Sequence, residues 1–192
     1  MPKKVWYAPN KFESYGEEEI KAVEACLRDG WLAGFGDRTV EFEKRVADLF
    51  GKKSGLFVNS GSSAILLGLC ALDLPKGSEV VTPACGFATT VAPLVQLGLK
   101  PVFCDVGLDT YVPGVEDLRK VVTSETKCLL LPNLIGNMPD WTAIRAAFPN
   151  IVLFEDSADT ITHTPCTDIS TTSFYASHVI TAGGVGGMVM FN

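Results

Sequence analysis

Lysine and arginine never run longer than two in succession in this 192-residue chain, and the formal net charge is −6. That balance argues against nucleic acid or an anionic membrane surface as the partner. No apolar stretch reaches the roughly 18 residues of a membrane span. The opening Met-Pro-Lys-Lys-Val-Trp has no apolar core of a signal peptide. The six cysteines, at 26, 70, 85, 104, 128 and 166, form no C-x-x-C or C-x-C pair. Most lie in apolar runs, so reduced, buried thiols are expected rather than disulfides or a metal site. Internal repeats, linkers and low-complexity tracts are missing too. These absences together read as a soluble cytoplasmic protein. Histidine is also scarce, with only His163 and His178.

What is present is a globular composition, 47% hydrophobic and 20% charged. The length suits one domain able to bury roughly 70% of its unfolded surface. Residues 1–15 read as irregular. Ile20, Val23 and Leu27 recur at helical spacing behind an acidic first turn, and Gly30 stops that helix. Asp37 is placed to cap a second helix carrying Phe42, Val46, Leu49 and Phe50. From there the chain alternates. Strands are expected at 55–59, 79–82, 101–105, 127–131 and 151–155, with helices at 62–72, 89–97, 115–122 and 140–148. Two further β-rich pieces fall at 171–175 and 187–191. Short strands alternating with helices predict an α/β fold of three layers around a mostly parallel, covered sheet. Ligands bind beyond the carboxyl ends of such strands.

Four strand ends carry candidate chemistry. After the first comes Asn59-Ser-Gly-Ser-Ser63, where Gly61 permits close backbone approach and Ser62 and Ser63 offer amides and hydroxyls to an anion. An ordinary serine N-cap is the other reading. Phe87 sits in a Pro/Gly-punctuated loop, either covering a planar ligand or packing under the loop. Asp156 ends a buried strand, where a carboxylate needs a positive or proton-donating partner. A protonated pyridine nitrogen would serve, and so would a helix cap or a salt bridge. His178 follows the last of these strands, five residues after Ser173 and just before a glycine-dense segment, whose loop of free backbone amides would suit a cofactor pocket. It reads as a catalytic base or as a structural histidine.

Taken in order, these groups resemble the DegT/StrS-type sugar aminotransferase family. The landmarks are Gly34-Phe-Gly with Glu41-Phe-Glu, Asn59-Ser-Gly-Ser-Ser-Ala, Thr82-Pro-Ala-Cys-Gly-Phe-Ala-Thr-Thr, Pro101-Val-Phe-Cys-Asp, Gly136-Asn-Met-Pro-Asp, Glu155-Asp-Ser-Ala-Asp and Ser173-Phe-Tyr-Ala-Ser-His. The resemblance implies the vitamin B6 large domain of the aspartate-aminotransferase fold (fold type I). Residues 1–30 would form an arm and helix, and 31–192 an incomplete large domain without its C-terminal partner domain. It also implies roles: Gly61, Ser62, Ser63 and Ser173 for the cofactor phosphate, Phe87 stacked on the pyridine ring, and Asp156 paired with its nitrogen.

Two positions depart from the aminotransferases. His178 stands where they carry the lysine that binds the cofactor covalently, and Asp159 stands where they usually have Gln. Both changes resemble the nucleotide-sugar 3-dehydratase branch, which uses pyridoxamine 5'-phosphate rather than lysine-bound pyridoxal 5'-phosphate. The expected activity is loss of the 3-hydroxyl from a nucleotide-linked 4-keto-6-deoxyhexose with His178 as base, since a histidine of unperturbed pKa near 6.5 is available neutral at neutral pH. An aminotransferase relative with altered activity, and a non-catalytic domain that binds cofactor or a partner chain, are the alternatives. A homodimer, or a second chain that completes the fold, is the expected partner.

Overall fold

The computed structural model describes residues 15–31 and 33–192. The irregular arm expected at the N-terminus falls, but for Tyr15, outside the described residues.

Helix α1, Glu17–Asp29, begins on Gly16, whose amide donates to Glu19 Oε2 at 2.7 Å, and ends at Gly30 with φ of 72°. Three glutamates in its first turn oppose the helix dipole. Its apolar stripe is present but buries no residue: Ile20, Val23 and Leu27 are all more than half exposed. Helix α2 spans Asp37–Phe50. Gly36 occupies the cap position and Asp37 is the first helical residue, without a side-chain cap bond. Its carboxylate therefore serves the dipole rather than capping. Val46, Ala47 and Phe50 of α2 are buried, whereas Leu49 faces out.

The chain then alternates as expected: β1 (Ser54–Val58), α3 (Gly61–Ala71), β2 (Glu79–Pro83), α4 (Ala88–Gln96), β3 (Lys100–Cys104), α5 (Val115–Arg119), β4 (Thr126–Pro132), α6 (Trp141–Ala147), β5 (Val152–Asp156), β6 (Ile169–Ser173) and β7 (Gly187–Phe191). One seven-stranded sheet results, in the order β1-β7-β6-β5-β4-β2-β3. Only β7 runs against its neighbours; the pairs among β2 to β6 are parallel.

The middle of the sheet is covered on both faces. In β4, Leu130 joins a core with Ala64, Leu69, Leu94 and Phe154, while Leu129 and Leu131 join Trp141, Ile144 and Leu153 on the opposite side. Alternation along a strand sends successive side chains to opposite faces, and burying each leucine is worth about 1.5–3 kcal/mol. A third core under β1 and β7 joins Val46, Phe50, Phe174, Met188 and Met190, with the rings of Phe42, Phe57 and Phe174 in contact. The Glu41-Phe-Glu landmark now has a physical account. Phe42 enters the aromatic cluster, and Glu43 Oε1 accepts from the Phe57 amide on edge strand β1 at 2.8 Å.

The cysteines depart from expectation. All six are free, but only Cys104 and Cys128 are buried, while Cys70 and Cys85 are exposed. Burial pushes the Cys104 thiol up to about 11 and that of Cys128 further. Cys70 lies in an apolar run but on an exposed face of α3, and Cys85 lies in the loop between β2 and α4. No helix among the described residues is long and apolar enough to cross a membrane.

Candidate functional site

The carboxyl ends of β2, β4, β5 and β6 open on one side of the sheet, together with the turn from β1 into α3. A cavity of about 650 Å³ lies there. Seven of the residues singled out from sequence line it: Gly61, Ser62, Phe87, Asp156, Asp159, Ser173 and His178.

Ser63 is not among the lining residues. The residue at the head of α3 is Ser60, whose Oγ accepts from the Ser63 amide and lies 3.1 Å from the Ser63 hydroxyl. The N-cap reading thus falls on Ser60, and Ser62 is left facing the cavity. Gly61 and Ser62 belong to a first helical turn whose amides lack intrahelical acceptors. Gly61 has no room for a side chain, since a Cβ there would lie 2.9 Å from that of Ser173. That contact brings the α3 turn against the end of β6.

At the opposite wall, Asp156 ends β5 at 7% exposure. Burial pushes its carboxyl up to about 6; the Thr90 hydroxyl, donating to Oδ2 at 2.8 Å, opposes this, and the charges of Asp159 and Glu155 add to the rise. No lysine or arginine among the described residues lines the cavity. A buried carboxylate facing open space without a cation favours a ligand that brings one. Phe87, the residue before α4, is 70% exposed at the cavity wall, which settles its alternatives against a core position.

His178 is held by the loop between β6 and β7. Its amide donates to the Tyr175 carbonyl at 3.0 Å, and the two rings meet edge to face at 5.9 Å between centroids. Imidazole Nδ1 is buried without a hydrogen-bond partner, and Nε2 lies 3.9 Å from Asp159 Oδ1. The glycine-dense segment does not line the cavity, although the sequence suggested a loop of free amides beside the imidazole. Its backbone is the return arm of the loop: the Gly184 and Gly186 carbonyls accept from the Ala176 and Phe174 amides. Gly187 then passes so close to α3 that a Cβ would lie 2.3 Å from the Ser60 carbonyl carbon. His163 lies elsewhere, beside Gly51.

Ser60, Cys85, Thr90, Asn133 and Tyr175 also line the cavity and were missed. Thr90 had a faint signal as a polar residue in an apolar helix. Asn133 had another, as the first polar side chain after Leu-Leu-Leu-Pro. Helix amides and hydroxyls at one end, an exposed ring at the wall and an unpartnered carboxylate fit a flat basic heteroaromatic ring that carries a phosphate.

Comparison with known proteins gives the same direction. The family model described as the DegT/DnrJ/EryC1/StrS aminotransferase family matches residues 13–192. The chain is 38% identical over 191 residues to the dTDP-4-dehydro-2,6-dideoxy-D-glucose 3-dehydratase of Saccharopolyspora spinosa, covering 91% of this chain and 41% of that protein. It is 35% identical to the dTDP-4-dehydro-2,3,6-trideoxy-D-glucose 4-aminotransferase of the same organism, covering 90% and 47%. Among solved structures, the E. coli GDP-4-keto-6-deoxy-D-mannose-3-dehydratase with bound hydrated PLP superimposes with a TM-score of 0.87 at 30% identity, over 98% of this chain and 51% of that one. The chain spans about half the length of the curated relatives it matches.

Proposed function

The chain belongs to the DegT/DnrJ/EryC1/StrS aminotransferase family, and on that premise we propose that it forms the cofactor-binding part of a B6-dependent 3-dehydratase acting on a nucleotide-linked 4-keto-6-deoxyhexose. One observation carries the reading: the cavity has an imidazole, His178, and no lysine among its described lining residues. Without a lysine amine the cofactor has no covalent anchor in the cavity, which disfavours the ordinary transamination cycle.

Gly61, Ser62 and Ser173 would hold the cofactor phosphate, with Ser63 bracing the turn through Ser60. Phe87 would cover the ring, Asp156 would face its nitrogen, and Asp159 would border it beside His178. Pyridoxamine phosphate, when bound, would supply an amine for the sugar ketone and an electron sink for bond breaking. Asp156 would strengthen that sink by facing the ring nitrogen. His178 would act as the base and, because Nδ1 is buried, would take the proton at Nε2 and return it to the departing 3-hydroxyl, which leaves as water. The reading includes a homodimer, or a second chain, covering the exposed apolar side chains of α1 and Phe87.

The test is to load the protein with pyridoxamine phosphate, add a nucleotide 4-keto-6-deoxyhexose, and follow water loss by mass spectrometry. His178→Asn is expected to lower the rate by about a hundredfold or more, the scale of a lost general base. Full dehydration by His178→Asn would sink the assignment. His178→Lys should instead allow borohydride to trap bound pyridoxal phosphate on the protein. The aminotransferase relative at 35% identity favours a second reading, amino transfer to the keto-sugar, and an amino-sugar product would establish it. Absence of any B6 absorption after incubation with the cofactor favours a non-catalytic domain.

A further inference from the structure

Glu155 precedes Asp156 in β5 but points away from the cavity and is wholly buried. A buried carboxylate is costly unless its oxygens are satisfied, and here they are. Oε1 accepts from Asn133 Nδ2 and from the Thr162 hydroxyl, both at 2.7 Å. Oε2 accepts from Ser170 at 2.6 Å, from Thr164, and from Thr167 at 3.3 Å. The nearest buried cation, Lys52, reaches it only through that shell, donating to the Thr164 and Thr167 carbonyls and the Thr167 hydroxyl.

One strut leads from this cage to the cavity. Asn133, itself 1% exposed, also donates to Ser157 Oγ at 3.0 Å and accepts from Trp141 Nε1 at 3.1 Å, while its amide donates to the Asp156 carbonyl. Ser157 Oγ donates to the Thr160 carbonyl at 2.9 Å. Both loops on this side of the cavity therefore start from atoms that Glu155 fixes: the turn after Asn133 and the segment carrying Ala158 and Asp159. The loops meet again where the Ile135 amide donates to Asp159 Oδ2 at 2.9 Å. Ile135 has φ of 56°, a left-handed conformation that a β-branched residue adopts only under constraint.

We propose that Glu155 is a positioning residue: through Asn133 and Ser157 it sets the spacing of the two cavity loops and so aims Asp159 beside His178. The link from that aim to catalysis rests on the dehydratase reading, whereas the positioning itself does not. Glu155→Met keeps the approximate volume but removes the acceptor for Asn133. Glu155→Gln keeps one oxygen for Asn133, and the cage hydroxyls can turn to accept from its amide nitrogen.

Hydrogen exchange at the Ile135 amide is read beside that of Gly114, an amide likewise held by a surface carboxylate, Asp117. Loss of one such bond corresponds to about tenfold faster exchange. Glu155→Met is expected to show that acceleration at Ile135 with Gly114 unchanged, and about tenfold weaker pyridoxamine phosphate binding. Glu155→Gln should stay within about threefold of wild type in both. Should Glu155→Met not fold, Asn133→Ser cuts the same strut with the cage intact and should give the same pattern. The proposal is overturned if Ile135 keeps wild-type exchange, if Gly114 accelerates equally, or if Glu155→Gln fails alongside Glu155→Met. A wild-type protein that binds no cofactor would refute the cofactor reading alone, leaving Ile135 exchange to decide the positioning.

Discussion

Asp156 is held by two opposing influences, burial that favours its protonated form and the Thr90 hydroxyl that favours its charge. Burial wins, and the sign of the consequence follows. The folded carboxyl, pushed from 3.8 to about 6, binds its proton more tightly than the unfolded one. Its contribution to stability is therefore present at low pH and lost as pH rises through that window, by on the order of 3 kcal/mol. Urea titrations of the cofactor-free protein should show this fall, and Asp156→Asn should remove it. A bound ring cation would remove it as well, because it restores a partner to the charged form. Asp156 was legible in sequence because a carboxylate after Ile-Val-Leu-Phe-Glu has few comfortable neighbours. Its partner Thr90 left only a faint trace, because a threonine in the first turn of a helix is equally at home as an ordinary helix-terminal residue. Neutral polar groups acquire meaning only when distant chain segments meet.

At the scale of elements, the alternation of strands and helices was plain from periodicity, with boundaries within a residue or two at most ends; α5 stops at Arg119, short of the expected 122. Strand order was not legible, since periodicity reports which face is buried and not which neighbour lies alongside. The glycine-dense segment is the instructive misreading. Glycines near a histidine suggested amides for a ligand, yet Gly187 is glycine because β7 slides past Ser60 and Gly61. Val58, Gly187 and Ser173 lie side by side across β1, β7 and β6, so the α3 turn and Ser173 are aligned by a third strand. Gly187→Ala would press a methyl into backbone atoms that cannot rotate aside. We expect a loss near the top of the roughly 1–3 kcal/mol range for overpacking, together with weaker phosphate binding. Gly183→Ala is the control, because a Cβ there meets nothing within 4 Å; strain at its positive φ should limit the loss to about 1 kcal/mol. Thermal melts and phosphate titrations of both variants check this.

For the whole molecule, stability resides in the sheet and its two covering layers, not in α1. The amphipathic pattern of α1 was legible; that nothing among the described residues covers its stripe was not, because a pattern names a face and not its partner. Leu27→Glu should leave the unfolding free energy within about 0.5 kcal/mol of wild type. Leu130→Ala, in the doubly covered centre, should lower it by about 2–5 kcal/mol; chemical denaturation distinguishes the two. The insertion of β7 between β1 and β6 also imposes an order in time. During synthesis β1 emerges about 130 residues before β7, the strand that ties it to the rest of the sheet. At typical translation rates it waits on the order of ten seconds unpaired, while α3 can already rest on Leu94, Leu130 and Phe154. The anion cradle is thus fixed late: a half-made chain on the ribosome has a finished Asp156 wall, but the turn that would dock a phosphate is held from its α3 side alone.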